Sequence, residues 1–262
     1  MPRFAANLTM MFNEVPFLER FRAAAVVGFT AVEFLFPYEH APEEVADKAK
    51  AAGTEVVLFN MPAGNWATGE RGITGLPGRE EEFRAGVEKA LVYAKTLGVP
   101  RLHAMAGIAP AGSDSAACRA TLISNLKYAA EKLAKEKITL LLEAINTRDM
   151  PGFLVSTQKD SHAICAEVGA QNLKMQMDIY HMQVMEGDLA TCLKRYASEC
   201  GHIQIAGCPD RHEPDTGEVR YEYLFRLLDE IGYAGWLGCE YRPADKTTEG
   251  LIWLSAATRA NG

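Results

Sequence analysis

Four polar residues close short apolar runs in the second half of the chain. They are Glu143 in Leu-Leu-Leu-Glu-Ala-Ile-Asn, Asp178 in Met-Gln-Met-Asp-Ile-Tyr-His, Gln204 in His-Ile-Gln-Ile-Ala-Gly and Glu240 in Leu-Gly-Cys-Glu-Tyr. If those runs are neighbouring strands, three carboxylates and an amide converge on one pocket. Carboxylates that close repel, and one takes up a proton unless a cation holds them apart. A divalent ion does this, and hard oxygen donors suit Mg2+ or Mn2+ better than Zn2+. Taken singly, an acidic residue at a strand end can simply cap the helix that follows. Four in register on consecutive strands point to a site.

The elements that must position them are legible as an alternation of apolar runs and amphipathic stretches. The pattern predicts a strand over 4–8 and a helix over 17–27 closed by Gly28, then a strand over 31–36 and a helix over 42–52 with Pro42 at its first position. A strand over 55–60 leads into a loop, 61–78, with five glycines and two prolines. Loops of that length in compact domains are usually functional, and Gly64 to Gly78 reads as a mobile lid. Its glycines lack the Lys-Ser/Thr pair of a phosphate-binding loop. The alternation continues with a helix over 79–97, strand 101–106, helix 115–136, strand 139–145, helix 157–168, strand 173–178, helix 188–200, strand 202–206, helix 221–231, strand 236–241 and helix 247–259.

Repeated strand–helix units imply a parallel sheet, and eight near-continuous apolar strands favour a closed (β/α)8 barrel. An open doubly wound sheet would carry a glycine-rich turn after its first strand, where this chain has Thr-Met-Met-Phe-Asn-Glu. No linker divides the chain, so residues 1–262 read as one α/β domain, a TIM barrel. In such barrels catalytic side chains sit at the C-terminal ends of the strands.

Composition narrows the functions. The 262 residues include 27 Lys+Arg and 34 Asp+Glu, a net charge of −7, with 48% apolar and 23% charged residues. That balance fits a globular protein and opposes a disordered tail or a membrane bundle. Without a basic run, nucleic-acid phosphate is a poor partner. The six cysteines form no CxxC pair and read as reduced structural thiols. The N-terminal apolar run breaks at Asn7, no stretch reaches about 18 apolar residues, and the Asn7-Leu8-Thr9 sequon has no export signal to use it. A cytoplasmic protein is expected, and the acidic surface allows a homo-oligomer.

The words around the four residues, Leu142-Glu143-Ala144-Ile145-Asn146, Asp178-Ile179-Tyr180-His181-Met182-Gln183, His202-Ile203-Gln204-Ile205-Ala206 and Gly238-Cys239-Glu240-Tyr241, resemble the hydroxypyruvate isomerase family. So do Asn60-Met61-Pro62-Ala63-Gly64 and Leu76-Pro77-Gly78-Arg79-Glu80-Glu81. That family belongs to the xylose-isomerase-like barrels, alongside ketose 3-epimerases. Residues 1–21 and 206–214 are also similar to its close relative, 2-oxo-tetronate isomerase. The resemblance, which covers residues 4 to about 253, implies that Glu143, Asp178, Gln204 and Glu240 bind the metal, with Glu143 and Glu240 as the acid–base pair. Related epimerases typically have a His where Gln204 stands; the change keeps an oxygen ligand and leaves the metal's identity open.

The implied reaction interconverts hydroxypyruvate and tartronate semialdehyde through an enediolate; the sister reactions are 2-oxo-tetronate isomerisation and ketose 3-epimerisation. His181, just past a strand end, is placed to donate to a substrate oxygen. A substrate carboxylate beside three protein carboxylates needs a cation, for which Arg211 is the first candidate and Arg71 the second. His103 could face the pocket, with Asn60 and Trp66 shaping its wall, though each of these residues could equally be structural. Two rival functions are a phosphodiester nuclease, which wants His-rich zinc sites and a basic groove, and a non-catalytic barrel that binds sugars or acids.

Overall fold

The computed structural model describes residues 2–259. Eight strands, β1 (Arg3–Asn7), β2 (Ala31–Phe34), β3 (Glu55–Asn60), β4 (Arg101–His103), β5 (Thr139–Glu143), β6 (Leu173–Asp178), β7 (Cys200–Ile205) and β8 (Trp236–Cys239), close in chain order into a parallel barrel. β8 pairs back onto β1, with Ala5 opposite Gly238. Around it run α1 (Phe17–Val26), α2 (Pro42–Ala52), α3 (Glu80–Leu97), α4 (Ser115–Lys135), α5 (Gln158–Val168), α6 (Ile179–Met185), α7 (Leu189–Tyr196), α8 (Tyr221–Glu230) and α9 (Ile252–Arg259). The expected (β/α)8 barrel is the observed fold. Among the described residues no helix is long and apolar enough to cross a membrane.

Local signals explain the individual elements. α2 has Pro42 at its start, Glu43 and Glu44 in its first turn and Gly53 in a left-handed conformation at its end. Along α3, Phe83, Val87, Ala90, Leu91 and Ala94 recur every three or four residues and are buried. Alternate strand residues, among them Phe4, Ala6, Leu102, Leu140, Leu142, Met175, Met177 and Ile203, join the apolar core shared with the helices.

The other face of the strands departs from the near-continuous apolar pattern expected. Glu33 of β2 touches His202 and Gln204 of β7, strands that are not neighbours, so these contacts cross the barrel interior. A polar layer therefore fills the upper half of the barrel, whereas a small apolar cluster containing Ala5, Ala31, Val57 and Leu141 is separate from the main core.

Three boundaries differ instructively. The lid reading fails for the second half of its loop. After a 3-10 turn at Trp66–Thr68, Gly72 pairs with Ala106, and Thr74 donates to the Met105 carbonyl at 2.7 Å. Asn125 donates in turn to the Thr74 carbonyl at 2.8 Å, and Ile73 and Thr74 are buried, so this part belongs to the barrel wall. Gly72, at φ 111°, is required there because a side chain would strike the Met105 carbonyl. The helix expected over 188–200 ends at Tyr196 and gives way to a 3-10 turn, Ala197–Glu199, before β7. α9 starts at Ile252 rather than 247, because Thr247 ties the loop after β8 to the loop after β1, accepting the Phe12 N–H at 2.7 Å.

Candidate active site

Glu143 is the last residue of β5 and Asp178 the last of β6; Gln204 lies within β7, opposite Asp178 in register, and Glu240 directly follows β8. All four are buried at the C-terminal mouth. Asp178 also caps α6, accepting the Tyr180 N–H at 2.8 Å, so the capping role and a place in the cluster coexist. That cap starts α6 directly at the strand end and turns His181 inward. His181 Nε2 lies 3.6 Å from Asp178 Oδ2 and 3.8 Å from Glu143 Oε1.

Arg211 comes from the loop after β7, in a left-handed conformation at φ 59°. Its Nη2 donates to Glu240 Oε2 at 2.8 Å and to Asp178 Oδ2 at 3.2 Å, and its guanidinium lies over the Tyr180 ring at 4.9 Å. The structure thus brings Glu143, Asp178, Glu240, His181 and Arg211 together.

Gln204 faces the polar layer. Its Nε2 donates to Glu33 Oε1 at 2.7 Å, and its Oε1 accepts from Gln176 Nε2 at 2.6 Å, leaving one lone pair on that oxygen. Asn7 links Glu33 to Glu240, with Nδ2 at 3.0 Å and 3.4 Å from their Oε1 atoms. His103 is buried behind Glu143, its Nδ1 3.2 Å from Asn60 Oδ1 and 3.7 Å from Glu143 Oε2. Trp66 packs edge-on against Phe36 and lines a cavity of about 1310 Å³ that also takes in Thr9, Tyr38, Arg242 and Lys246. Arg71 stacks on Trp66 at 4.0 Å and donates to the Trp66 and Glu70 carbonyls, so its bonds lie within its own loop.

Burial and crowding set the electrostatics. Loss of solvation, then repulsion from Glu240 and Asp178, pushes the Glu143 carboxyl well above the usual range. Glu240 is raised to about 8, chiefly by burial, with Arg211 opposing and Asp178 and Glu33 adding. Burial raises Asp178 against the pull of Arg211 and the backbone N–H groups of Tyr180 and His181. Burial lowers His103 to about 3, and burial with the nearby Arg211 holds His181 well below its ordinary value.

Three buried carboxylates against one guanidinium leave a deficit of positive charge, and Glu143 Oε1 is buried without a hydrogen-bond partner. One ligand atom each from Glu143, Asp178 and His181 lies within 4.8 Å of the others. A donor set of carboxylate oxygens around an unpartnered oxygen fits a hard divalent cation.

Several residues of this arrangement escaped the sequence reading: Asn7, Glu33, Asn146, Gln176 and His202. A period-two signal was available for some of them. Gln176 stands two before Asp178, His202 two before Gln204, and Glu33 is a lone acid in Ala-Val-Glu-Phe.

Comparison with known proteins adds independent findings. A family model described as xylose isomerase-like TIM barrel matches residues 21–257. A 2-oxo-tetronate isomerase from Cupriavidus necator is 57% identical over 254 residues, 97% of this chain and 98% of the relative. A hydroxypyruvate isomerase from Escherichia coli is 49% identical over the same shares of both chains. A crystal structure titled AP endonuclease, family 2, from Brucella melitensis superposes with a TM-score of 0.96 at 51% identity, covering 98% of this chain and 99% of that one.

Proposed function

The chain belongs to the xylose isomerase-like TIM-barrel family and is an isomerase, and from that premise we propose that it interconverts aldehyde and ketone forms of a small hydroxy-oxo acid through an enediolate. The observation that carries this reading is the buried meeting of Glu143, Asp178 and Glu240 with Arg211 and His181 at the barrel mouth.

In hydroxypyruvate, a proton leaves the hydroxymethyl carbon and one returns to the neighbouring ketone carbon, while the proton of the hydroxymethyl hydroxyl passes to the ketone oxygen, so that the first becomes an aldehyde and the second a hydroxyl. One of the two glutamates, Glu143 or Glu240, takes the carbon-bound proton and the other returns one from across the substrate; acid–base catalysis of this kind contributes about 10²–10⁴-fold. A divalent cation, Mg2+ or Mn2+, held by Glu143, Asp178, Gln204 and Glu240, would supply charge against the developing enediolate and orient the two substrate oxygens. Glu33 and Gln176 hold Gln204 in place, Glu33 taking the NH2 end of the amide and Gln176 one lone pair of its oxygen, so that the second lone pair would be the one for a ligand. His181 Nε2 is placed to donate to a substrate oxygen. Arg211 Nε is buried without a hydrogen-bond partner, a donor suited to the substrate carboxylate.

The four-carbon substrate, 2-oxo-tetronate, is favoured by the higher identity to that isomerase. Arg211, buried among the carboxylates, favours an anionic substrate over a neutral ketose of the 3-epimerase type. The −7 charge and the acidic site oppose a DNA substrate. Assay of hydroxypyruvate and 2-oxo-tetronate in deuterium oxide, with Mg2+ or Mn2+, tests the reading. Turnover with solvent deuterium in the product is expected, whereas metal-supplemented protein inert toward both acids would overturn it.

A further inference from the structure

Asn146 lies three residues beyond Glu143, fully buried. Its Oδ1 accepts the Asp149 backbone N–H at 2.7 Å, and its Nδ2 is 3.1 Å from Asp149 Oδ2. The reverse orientation would set an NH2 group against that N–H and a carbonyl oxygen against the carboxylate. The amide is therefore fixed with its NH2 end toward His181, whose Nδ1 lies 2.6 Å away. An NH2 group offers only hydrogens, so the ring nitrogen facing it must hold a lone pair. A neutral imidazole with a lone pair on Nδ1 carries its proton on Nε2. Arg211 Nη2 also stands 3.4 Å from Nε2, but its two hydrogens go to Glu240 Oε2 at 2.8 Å and Asp178 Oδ2 at 3.2 Å, so it makes no demand on that nitrogen.

We propose that Asn146 is a positioning residue that fixes the His181 tautomer, presenting Nε2–H to the reacting centre as a donor and withholding the lone pair a metal ion would need. The proposal rests on the isomerase reading for what the donor acts on. The His181 spacing to Glu143 and Asp178 would by itself suit a cation. A metal-binding histidine, however, usually donates its other ring N–H to a carboxylate or carbonyl. Here the other nitrogen accepts instead, and the tautomer separates His181 from the carboxylates as a group that touches substrate.

The support continues outward. Asp149 Oδ2, which accepts from Asn146, also accepts the Tyr180 hydroxyl at 2.8 Å. Arg148 Nη2 donates to that hydroxyl at 2.9 Å and to the Pro209 carbonyl at 2.9 Å. The loop after β5 thus sets the amide, α6 sets the ring, and the loop after β7 braces both.

Long-range proton–nitrogen correlation spectra of ¹⁵N-histidine protein read the tautomer directly, with a His181→Asn sample assigning the signal among six histidines. The parent should show an unprotonated Nδ1 and a protonated Nε2 for His181. Asn146→Asp replaces the donor by an acceptor and should move the proton to Nδ1, with kcat falling about tenfold or more and KM changing less. Asn146→Ser, which adds no charge, should give a mixture of tautomers if the aspartate variant fails to fold. A protonated Nδ1 in the parent would overturn the proposal, as would an unchanged tautomer or unchanged kcat in a folded variant. Parent protein that turns over neither acid but shows the expected spectrum would refute the isomerase substrate reading and leave the Asn146 assignment standing.

Discussion

Both oxygens of Asp178 are engaged, Oδ1 by the Tyr180 N–H and Oδ2 by Arg211, and Glu240 Oε2 is paired with Arg211 as well. Glu143 Oε1 has no such partner. In the proposed reaction, that unpartnered oxygen, 3.8 Å from His181 Nε2, would be free to take a proton from carbon. Replacement by glutamine keeps the shape and removes the basicity. Glu143→Gln and Glu240→Gln are each expected to lower kcat by at least ~10²-fold. Neither should lower the melting temperature of protein freed of divalent ions, because each removes a charge whose burial raises its pKa. Steady-state kinetics beside thermal melts check both halves, and a near-parental rate in either variant would strike that glutamate from the acid–base pair.

At the scale of elements, what local periodicity and caps determine was legible: β3, β6 and α2 fall where the pattern places them. α6 was not, because Ile179, Tyr180, His181 and Met182 are all buried, and a segment covered on every side has no amphipathic face to announce it. Nor was the polar layer, since Glu33 meets a histidine 169 residues away and acquires that partner only when the barrel closes. The four residues could be found because each lies at or beside a strand end; Glu33, Gln176 and His202 lie inside strands, with partners no local window contains. β8 shows how closely that layer is fitted. At Gly238 a Cβ would sit 2.5 Å from the Glu33 carboxyl carbon, so the Glu33 side chain fills the space across from the missing side chain. Gly238→Ala should therefore cost about 1–3 kcal/mol, the usual range for overpacking a core. It should also reduce turnover by displacing Glu33 from Gln204 and Asn7. Urea denaturation is the measurement, and a midpoint equal to the parent's would show that Glu33 does not occupy that space.

At the scale of the whole molecule, folding gathers acidic groups that the unfolded chain keeps apart and solvated. With no divalent ion bound, Glu240 titrates near 8 and Glu143 is also raised, whereas both return to about 4.3 on unfolding. Between those values the folded protein binds more protons than the unfolded one. Stability then falls as pH rises through the window, since its slope follows the protons bound by the unfolded state minus those bound by the folded state. The depressed stability is fully developed only above pH 8. A divalent cation of the kind proposed would bind the gathered, ionised carboxylates and not the dispersed ones, would stabilise the fold by mass action, and would compete with protons below pH 8. Chelator-treated protein is accordingly expected to melt at a lower temperature at pH 8 than at pH 5. Saturating Mn2+ or Mg2+ should raise the melting temperature more at pH 8 than at pH 5, each ~1 kcal/mol appearing as about 2–4 °C for a chain near this size. Differential scanning calorimetry at the two pH values, with and without the ion, decides the matter. An ion-induced rise of equal size at both would mean that the raised carboxylates are not the groups that bind it.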